Sequence, residues 1–458
     1  MYMKKYYTET FGCQMNYSDT ERIESYLDAL GFSKTNKIEE ADIIVLNTCS
    51  IRQKAEDRVF GKMIGLGKLK RKNKNIILVV TGCMVRKSSS RYSVERDKLF
   101  NRIKELDIAL RTEELPKLAQ LARELNPKNK IPEIPEESFE SYFQISPTYN
   151  SYNSNSQAFV AISNGCDKFC TYCIVPYSRG REKSRKIEEV LEECKKLVEE
   201  GYKEITLIGQ TVDSYGLSKY DKENKTFEHL GDKKPFVHLL EELDKLKSQG
   251  LERVRFSSPH PCDMSDQLME AMNSLETQMP YLHLPVQAGD DRTLRRMNRN
   301  YTVEQYKEII RKLREKNPDI SISTDIIVGF CGETEEEFEN TRKFFEEMGF
   351  EHGYISQYSE RRGTTASKFI KDDISAKVKK ERWEIMNSLL KENSKKALER
   401  FIGREVKVLV EEQKESICLG RSEHFKTVQF ECDKNLLGKI VSVKIQKAKQ
   451  WFLEGELS

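Results

Sequence analysis

Apolar, β-branched runs followed by amphipathic stretches recur along the first 125 residues and predict strand-then-helix units. The first run covers residues 6–10 and leads within three residues to Cys13. Ser18 and Glu21 form a capping-box pattern that predicts the start of a helix, and Gly31 is a typical residue for its end. We therefore expect an open parallel α/β sheet in residues 1–125.

A cysteine follows each of three predicted strands in this region. Residues 43–46 and 76–80 are the second and third apolar runs, and Cys49 and Cys83 follow them as Cys13 follows the first. The carboxyl ends of parallel strands meet at one edge of a sheet, where open α/β sheets bind ligands. The pattern thus predicts that the three thiols lie close together, with buried structural cysteines at strand ends as the alternative.

A second α/β region follows a stretch without periodicity. Residues 126–157 are rich in Pro, Ser, Asn, Tyr and Glu, which is typical of a linker. Residues 158–396 then alternate strand-like and helical segments, which predicts a parallel sheet curled into a partial or full α/β barrel. Its active site is expected at the carboxyl ends of the strands. The predicted strands cover residues 159–162, 204–208, 253–257, 281–284, 320–327 and 353–358.

The last 62 residues, 397–458, have a different pattern. Three β-branched runs lie between glycines and predict a small β-barrel. Four lysines gather near its end beside an aromatic pair, which indicates either a local RNA-binding patch or a solvated edge strand. The runs are residues 405–410, 426–431 and 439–445, and the patch consists of Lys439, Lys444, Lys447, Lys449, Trp451 and Phe452.

Composition narrows the classes of protein that remain. A chain of 458 residues is too long for one core, and neither a membrane span nor a signal peptide is visible, so we expect a cytoplasmic protein without a membrane partner. The net charge is only +3, so any RNA site must be local. Eleven cysteines in a large cytosolic chain are expected to be thiols or metal ligands rather than disulfides.

The strongest chemical signal is a loop that packs Cys166, Cys170 and Cys173 into eight residues. Structural zinc requires four protein ligands, and the next candidates, Cys194 and His229, lie in a helical pattern and far downstream. A 4Fe-4S cluster can instead leave one iron open for a substrate or cofactor. Zinc with a distant fourth ligand and reduced core cysteines remain the alternatives.

The chain resembles the radical S-adenosylmethionine superfamily, and within it the MiaB-type tRNA methylthiotransferases. The resemblance rests first on the three-cysteine loop with an aromatic residue before its last cysteine. It extends over nearly the whole chain through motifs in one order. These are residues 10–16 (TFGCQMN), 47–49 (NTC), 81–83 (TGC), 174–182 (IVPYSRGRE), 207–210 (LIGQ), 283–289 (HLPVQAG), 324–330 (TDIIVGF), 358–359 and 362–364.

This resemblance implies two 4Fe-4S clusters and S-adenosylmethionine as cofactors. Three cysteines, Cys166, Cys170 and Cys173, would hold the cluster whose open iron binds S-adenosylmethionine and starts radical formation. The other three, Cys13, Cys49 and Cys83, would hold an auxiliary cluster that carries the sulfur to be transferred. The implied fold is an α/β methylthiotransferase domain (1–125), a linker (126–157), a radical core (158–396) and a TRAM-like barrel (397–458).

Several further positions are assigned by the resemblance alone. Gly329 and Glu333 would lie at the adenine-contacting strand end, although a strand-to-helix turn explains the same residues. Gln210, Gln287 and Arg362 would lie on the catalytic face, where Gln210 would bind the cofactor; orienting a loop is the alternative for each of the three.

Two arginines are further candidates for binding, and two residues depart from the family pattern. No residue is assigned a catalytic role. Arg179 and Arg181 either bind a carboxylate or phosphate or form a salt-bridged loop. Cys331 replaces a usual proline and Thr211 a usual asparagine.

The implied reaction is methylthiolation at C2 of N6-isopentenyladenosine 37 of tRNA. The partners would be the tRNA anticodon stem-loop and an electron donor such as flavodoxin or ferredoxin, and the enzyme would be a monomer. The alternative substrates are threonylcarbamoyladenosine in tRNA and a ribosomal-protein aspartate. A different class of protein, a non-enzymatic RNA-binding protein with structural clusters or zinc, also remains.

Overall fold

A computed structural model of the chain describes residues 4–49, 53–125, 142–147, 149 and 156–458. The chain divides into two compact units. The N-terminal unit consists of residues 1–150, 164–166 and 173–181, and the core unit consists of residues 151–163, 167–172 and 182–458. Among the described helices, none is both long enough and apolar enough to cross a membrane.

The N-terminal unit contains a six-stranded sheet in the order β2-β1-β3-β4-β6-β5, and only β5 runs antiparallel to its neighbour. The predicted open parallel sheet is confirmed. Its strands are β1 (Lys5–Phe11), β2 (Ser33–Lys34), β3 (Ile43–Thr48), β4 (Ile77–Gly82), β5 (Ser89–Ser90) and β6 (Ile108–Leu110). Its helices are α1 (Gln14–Ala29), α2 (Gln53–Lys72), α3 (Leu118–Leu125) and α4 (Val175–Ser178), with 3₁₀ turns at Ile38–Glu40, Lys98–Asn101, Thr112–Lys117 and Tyr142–Gln144.

Both faces of this sheet are covered, which explains why β3 and β4 are buried along their whole length. Ile23 and Leu27 of α1 share one hydrophobic cluster with residues of α3. On the opposite face, Val59 and Met63 of α2 share a cluster with Ile103. Part of the predicted linker belongs to this unit, since Tyr142 lies in the first cluster, whereas residues 126–141 and 150–155 lie outside the described residues.

The predicted start of the first helix is wrong. The helix α1 begins at Gln14 with Cys13 as its N-cap, and Ser18 and Glu21 are buried one turn further along. Asn16 accepts a hydrogen bond from the Cys13 amide at 3.3 Å, so the helix end is satisfied directly after β1. The Ser18 and Glu21 pattern is therefore a feature of the helix interior.

The core unit places six predicted parallel strands in two three-stranded sheets, in the orders β11-β10-β7 and β12-β13-β14. A parallel bridge between Val254 and Gln278 lies beside β11, so the arrangement is a partial barrel. The strands are β7 (Gln157–Ala161), β10 (Glu204–Ile208), β11 (Arg253–Phe256), β12 (Tyr281–His283), β13 (Ser321–Val328) and β14 (His352–Gln357). Two short strands, β8 (Ser163–Asn164) and β9 (Lys183–Ser184), lie outside these sheets.

Helices follow most of these strands and cover the partial barrel. The long helix α13 contacts β14 and leads into the C-terminal part of the chain. The helices are α5 (Ile187–Glu199), α6 (Lys219–Glu223), α7 (Pro235–Asp244), α8 (Asp266–Ser274), α9 (Asp291–Arg296), α10 (Val303–Lys316), α11 (Glu335–Met348), α12 (Thr365–Phe369) and α13 (Ala376–Glu399). The 3₁₀ turns are Val212–Ser214, Glu228–Leu230 and Lys245–Gln249.

The C-terminal part is a closed five-stranded β-barrel, as predicted, in the order β15-β16-β17-β19-β18. The strands are β15 (Glu405–Lys414), β16 (Ile417–Ser422), β17 (Thr427–Glu431), β18 (Ile440–Ala448) and β19 (Leu453–Leu457). The sequence predicted only three of them. The other two, β16 and β19, contain Gly420 and Gly455, which weaken the sequence pattern of a strand. Glycine is needed at these positions because the barrel brings a neighbouring backbone close to them.

Buried cations join this barrel to the partial barrel of the core unit. Arg253 donates to the carbonyls of Lys407 and Arg421 at 2.7 and 2.8 Å. Lys426 of the barrel forms an ion pair with Glu351 at 2.5 Å, and both side chains are buried. The small barrel is therefore an integral part of the core unit.

Candidate active site

The ends of three neighbouring strands bring Cys13, Cys49 and Cys83 to one edge of the N-terminal sheet. The strand β3 lies between β1 and β4, all parallel, with Phe11 of β1 opposite Thr48 of β3. The Cys49 amide donates to the Phe11 carbonyl and the Cys83 amide donates to the Thr48 carbonyl, each at 2.8 Å. The register confirms that the three cysteines follow adjacent strand ends, as the sequence predicted.

Two buried asparagines hold these strand ends together, and we call Asn16 and Asn47 the asparagine clasp. Asn16 Nδ2 donates to Asn47 Oδ1 at 3.0 Å, and Asn47 Nδ2 donates to the Asn16 carbonyl at 2.7 Å. Asn16 Nδ2 also lies 3.3 Å from the Thr48 carbonyl. The clasp thus ties the first turn of α1, directly after Cys13, to the end of β3, directly before Cys49.

Gly82, the last residue of β4, permits the close approach of the third cysteine. Its φ is +88°, and a Cβ atom there would collide with the Thr48 carbonyl oxygen and lie 2.6 Å from Asn47 Oδ1. Any other residue would be strained and would push β4 away from β3. The glycine before Cys83 is therefore required by the packing at this edge.

Cys13 differs from the other two thiols of this set. Its residue is exposed, whereas Cys49 and Cys83 are buried. A hydrogen bond with Cys49 and the positive charge of Arg179 lower the pKa of Cys13 to about 6. Because a thiolate is the metal-binding form of cysteine, this environment favours a ligand role for Cys13.

Arg179 lies in a buried ion pair inside the N-terminal unit. It is paired with Asp19 of α1 and donates to Asn164 Oδ1 at 3.0 Å. Tyr142 donates to Asp19 at 2.6 Å. Burial alone would lower the pKa of Arg179, but the Asp19 carboxylate outweighs it and holds that pKa well above its usual range. Of the two interpretations of Arg179, the structure confirms the salt bridge, while Arg181 is exposed.

The loop that carries Cys170 is anchored by backbone and side-chain hydrogen bonds in the core unit. Thr171 donates from its amide to the Met297 carbonyl at 3.0 Å and from its hydroxyl to the Arg296 carbonyl at 2.8 Å. Asn298 donates to the carbonyls of Lys168 and Phe169 at 3.2 and 3.1 Å. The loop is therefore held in one conformation by the segment that follows α9.

Arg299 is a site residue that the sequence analysis missed. It is buried and donates from Nη1 to Cys170 Sγ at 3.7 Å and from Nε to the Tyr301 hydroxyl at 3.0 Å. This contact places a buried positive charge directly beside one of the three thiols of the loop. No local sequence signal marks this residue, because an arginine after α9 reads as an ordinary surface charge.

Among the positions assigned by the family resemblance alone, Gln210 has a buried side-chain oxygen that could contact a ligand. It lies two residues after β10, and its Oε1 is buried without a hydrogen-bond partner among the described residues. Such an atom is expected to face a bound group or water. Gln287 has a positive φ of 73° and pairs with β13 through its backbone, and Arg362 is exposed.

Hydrogen bonds to Glu333 shape the turn after β13. Glu333 is buried and accepts hydrogen bonds from the Gly329 amide and from Arg382, each at 2.7 Å. Burial raises the pKa of Glu333. Gly329 has a φ of +68° and contacts the stem of Lys379 of α13. The structure thus gives both residues a role in shaping the turn, and their role in cofactor binding stays a prediction.

A polar cavity of about 300 Å³ lies beside the start of the three-cysteine loop in the core unit. Asp167, Lys168, Glu182 and Asp263 line it, and Lys168 is ion-paired with Asp263. Burial raises the pKa of Glu182 to about 8, although a 2.5 Å hydrogen bond from Ser214 opposes this shift. Sequence reasoning missed this group because its acidic members come from separate segments.

The two cysteine groups are candidate ligands of iron-sulfur clusters. One group comes from three neighbouring strand ends and the other from a single loop, and the fourth zinc ligands considered for that loop lie in other segments. Cys194 is buried inside α5 and His229 is exposed. Among the described residues, no three His, Cys, Asp or Glu side chains converge closely enough for a single metal ion. A four-iron cluster is larger than one ion and needs only three protein thiolates when one iron stays open.

Three parts of the chain match known protein families. Residues 160–345 match the Radical SAM superfamily. Residues 5–108 match the Uncharacterized protein family UPF0004, and residues 399–458 match the TRAM domain. The order of these matches is that of the N-terminal sheet, the partial barrel and the closed barrel.

Full-length relatives narrow the family further. The chain is 40% identical over 458 residues to the tRNA-2-methylthio-N(6)-dimethylallyladenosine synthase of Bacillus subtilis, covering 99% of this chain and 86% of the relative. It is also 40% identical to the synthase of the same name from Dictyoglomus thermophilum, covering 99% of both chains. The chain belongs to the tRNA-2-methylthio-N(6)-dimethylallyladenosine synthase family. As a member of this synthase family it is a radical S-adenosylmethionine methylthiotransferase, and its superfamily uses a 4Fe-4S cluster and S-adenosylmethionine.

Solved structures support the fold of this synthase-family member. The radical S-adenosylmethionine methyltransferase TsrM from Kitasatospora setae, with cobalamin and a 4Fe-4S cluster bound, matches with a TM-score of 0.57. The match covers 80% of this chain and 77% of that chain, at 12% sequence identity. At this identity the likeness concerns the fold alone.

Proposed function

We propose that this chain methylthiolates C2 of N6-isopentenyladenosine at position 37 of tRNA. The observation that carries the proposal is the presence of two separate three-cysteine groups in one chain that is similar over its full length to synthases of that name. An aromatic C–H bond has neither an acidic proton nor a leaving group, so its replacement suits radical chemistry.

Each cysteine group has its own cofactor in this proposal. Cys166, Cys170 and Cys173 hold a 4Fe-4S cluster that binds S-adenosylmethionine. The second group, at the strand ends of the N-terminal sheet, holds an auxiliary 4Fe-4S cluster. When bound, the first cluster supplies the electron for radical formation and the second supplies the sulfur.

The chain's own residues prepare both places. Arg299 donates to Cys170 Sγ, while Thr171 fixes the adjoining backbone. The asparagine clasp and Gly82 set the spacing of the three strand ends. Gln210, with its unsatisfied buried oxygen, contacts the cofactor, and Gly329 and Glu333 form the strand end that faces the adenine.

The proposed substrate is recognised through the anticodon stem-loop, and the C-terminal barrel contributes RNA contacts. In the lysine and aromatic patch, Trp451 is 48% exposed and Lys444 and Lys447 are exposed, which suits stacking and phosphate binding. We further propose a cytoplasmic monomer that receives electrons from a flavodoxin or a ferredoxin.

Two alanine variants test the division between the cysteine groups. Replacing Cys166, Cys170 and Cys173 together should remove about half of the iron and abolish formation of deoxyadenosine from S-adenosylmethionine. Replacing Cys13, Cys49 and Cys83 should also remove about half of the iron but leave deoxyadenosine formation intact, without methylthiolated product. The matched control is Cys194→Ala, a buried cysteine of α5, which should retain both activities. Deoxyadenosine formation by the first variant would refute the assignment.

The substrate is tested by mass spectrometry of tRNA nucleosides. A strain without this gene should accumulate N6-isopentenyladenosine and lose its methylthio derivative, and complementation should restore that derivative. Normal levels of the derivative would contradict the proposed substrate. If methylthio-threonylcarbamoyladenosine or a methylthiolated ribosomal aspartate were missing instead, the chemistry would stand with a different substrate.

A further inference from the structure

Positive charge is concentrated in one segment of the N-terminal unit. Residues 53–104 contain fifteen Lys or Arg and four Asp or Glu, a net of +11, whereas the whole 458-residue chain carries +3. The remainder of the chain is therefore net acidic. A segment that differs this strongly from the average of its chain is expected to have an electrostatic function.

The basic residues of α2 and of the segment 98–104 lie on one side of the N-terminal sheet. The helix α2 and residues 98–106 pack into the same hydrophobic cluster, through Met63 and Ile103 among others. Arg102 lies over the ring of Phe60 at 4.0 Å, and Arg71 lies 3.5 Å from Glu105. These contacts join the helix and the following segment into one continuous surface, which we call the α2 surface.

Many of the cations on the α2 surface are available for binding. Lys68, Lys72, Lys74, Lys98 and Lys104 are all exposed, and none of them forms an ion pair within the described parts of the chain. Other exposed lysines of the chain do have an acidic partner, as Lys377 has Glu381. Lysines without such neighbours repel one another, so they indicate a partner of opposite charge.

A second feature of α2 indicates close approach by that partner. Gly61 and Gly65 lie four residues apart, both are exposed, and no atom lies within 4 Å of a Cβ atom built on either one. With Lys68 and Lys72 they follow the spacing of one helix face. Glycine is unfavourable inside a helix, and no contact in the described structure requires it at these two positions. The glycines leave the backbone of the helix uncovered between the cations.

We propose that the α2 surface binds the phosphate backbone of the substrate tRNA. Lysines contribute the charge, and the bare helix face allows a polynucleotide backbone to approach closely. A helix of twenty residues is about 30 Å long, and its cations extend to its last turn and beyond it to Lys74. An extended track of this kind fits a chain of phosphates better than the small interface of an electron-transfer protein. The proposal rests on the proposed function, since it takes tRNA as the substrate.

The lysines are tested in a variant with five changes, Lys68→Gln, Lys72→Gln, Lys74→Gln, Lys98→Gln and Lys104→Gln. Its affinity for tRNA, measured by filter binding, should fall at least about tenfold, and the slope of log K against log salt should decrease in magnitude by about two or more. The matched control changes five exposed lysines of α5 and α13 to Gln and should keep the wild-type slope. These are Lys195, Lys196, Lys377, Lys380 and Lys395.

The bare helix face is tested with Gly61→Gln and Gly65→Gln together. Because glutamine is a better helix former than glycine, the melting temperature should not fall, yet tRNA affinity should weaken several-fold. Iron content and deoxyadenosine formation without tRNA should match the wild type in both variants. Weaker binding without loss of stability cannot come from a folding defect.

The outcomes separate this proposal from the proposed function. If the wild type methylthiolates tRNA but the five-lysine variant binds it with unchanged affinity and salt slope, the α2 surface is not an RNA site, although the proposed function stands. If that variant binds tRNA normally but is reduced more slowly by an acidic flavodoxin, the surface serves an electron donor and the RNA proposal is wrong. If the wild type binds tRNA through these lysines but yields no methylthio product from it, the proposed function fails alone.

Discussion

The buried ion pair of Asp19 and Arg179 should be sensitive to the loss of either charge. Both side chains are almost completely buried, with 2% of Arg179 and none of Asp19 exposed. Arg179→Met should leave the Asp19 carboxylate buried and unpaired, which lowers the free energy of unfolding by about 3–5 kcal/mol. Urea denaturation of the purified protein measures this loss.

The double variant Asp19→Asn with Arg179→Met is the control for this pair. It removes both charges, so it should recover a substantial part of the lost stability. If the double variant is as unstable as the single one, the loss comes from packing of the arginine rather than from the unpaired carboxylate.

Glu182 should make stability depend on pH. Burial raises its pKa to about 8, so the folded protein holds a proton on Glu182 that the unfolded chain releases near pH 4.5. This contribution to stability is complete below about pH 4.5 and is lost as pH rises to about 8, at up to about 1.4 kcal/mol per pH unit. Glu182→Gln should flatten the curve of unfolding free energy between pH 5 and 8 and exceed the wild type in stability above pH 8. An unchanged slope would contradict this role.

At the residue scale, spacing predicted the cysteines, but it did not predict their neighbours. A thiol after each of three strands, or three thiols in eight residues, is visible in the sequence because the pattern is local. Arg299 lies 129 residues from Cys170, and Arg179 comes from a different segment than Cys13. A charged residue taken alone normally indicates a solvated face. The tertiary fold alone shows that these two charges are buried.

At the scale of elements, two glycines should respond in opposite ways to the same change. Gly82→Ala places a Cβ atom against the Thr48 carbonyl at a φ of +88°, so it should lower both the stability of the N-terminal unit and the iron held at the strand-end cysteines. Gly61→Ala in α2 meets open space at a helical position and should raise stability by about 0.5–1 kcal/mol. Thermal unfolding and iron analysis distinguish the two, and equal responses would contradict the packing at Gly82.

The elements themselves were predictable to different degrees. The central strands were found nearly residue for residue, as with Glu204–Ile208, because buried parallel strands are short apolar runs between helices. The predicted start of α1 lies one turn beyond the observed start. The sequence contains an ordinary capping pattern at Ser18, whereas a cysteine such as Cys13 is not a typical N-cap. The strands β16 and β19 were missed because barrel closure, a non-local effect, decides their pairing.

At the scale of the whole molecule, removal of the C-terminal barrel should affect more than RNA binding. A chain ending before Ala397 exposes Glu351, Arg253 and Arg255, which the barrel now covers with Lys426 and with backbone carbonyls. We expect such a truncation to lower the free energy of unfolding of the core unit by several kcal/mol, because these hydrogen bonds are lost together with apolar contacts such as the stacking of Tyr281 on Phe425. Denaturant unfolding of the truncated and full chains measures this effect.

A milder change separates RNA binding from stability in the same region. Lys444→Gln with Lys447→Gln alters exposed side chains of β18, so tRNA affinity should fall while unfolding stays within about 0.5 kcal/mol of the wild type. A truncated chain as stable as the full one would show that the buried cations at this interface contribute little.

The net charge of the chain was a poor guide to its surface. A net charge of +3 does not predict RNA contacts in residues 53–104. The sequence predicts an RNA-binding patch only in the C-terminal barrel. The concentration of charge in residues 53–104 is visible in the sequence, but only the fold shows that α2 and residues 98–106 share one face. Charge averaged over a chain of several domains therefore conceals local sites.

The asparagine clasp has a consequence for the enzyme when it is exposed to oxygen. Hydrogen bonds between Asn16 and Asn47 hold together the strand ends that carry Cys13 and Cys49. If the proposed auxiliary cluster is lost to oxygen, these strand ends should therefore stay together. Iron and sulfide could then rebuild the cluster on a chain that is still folded.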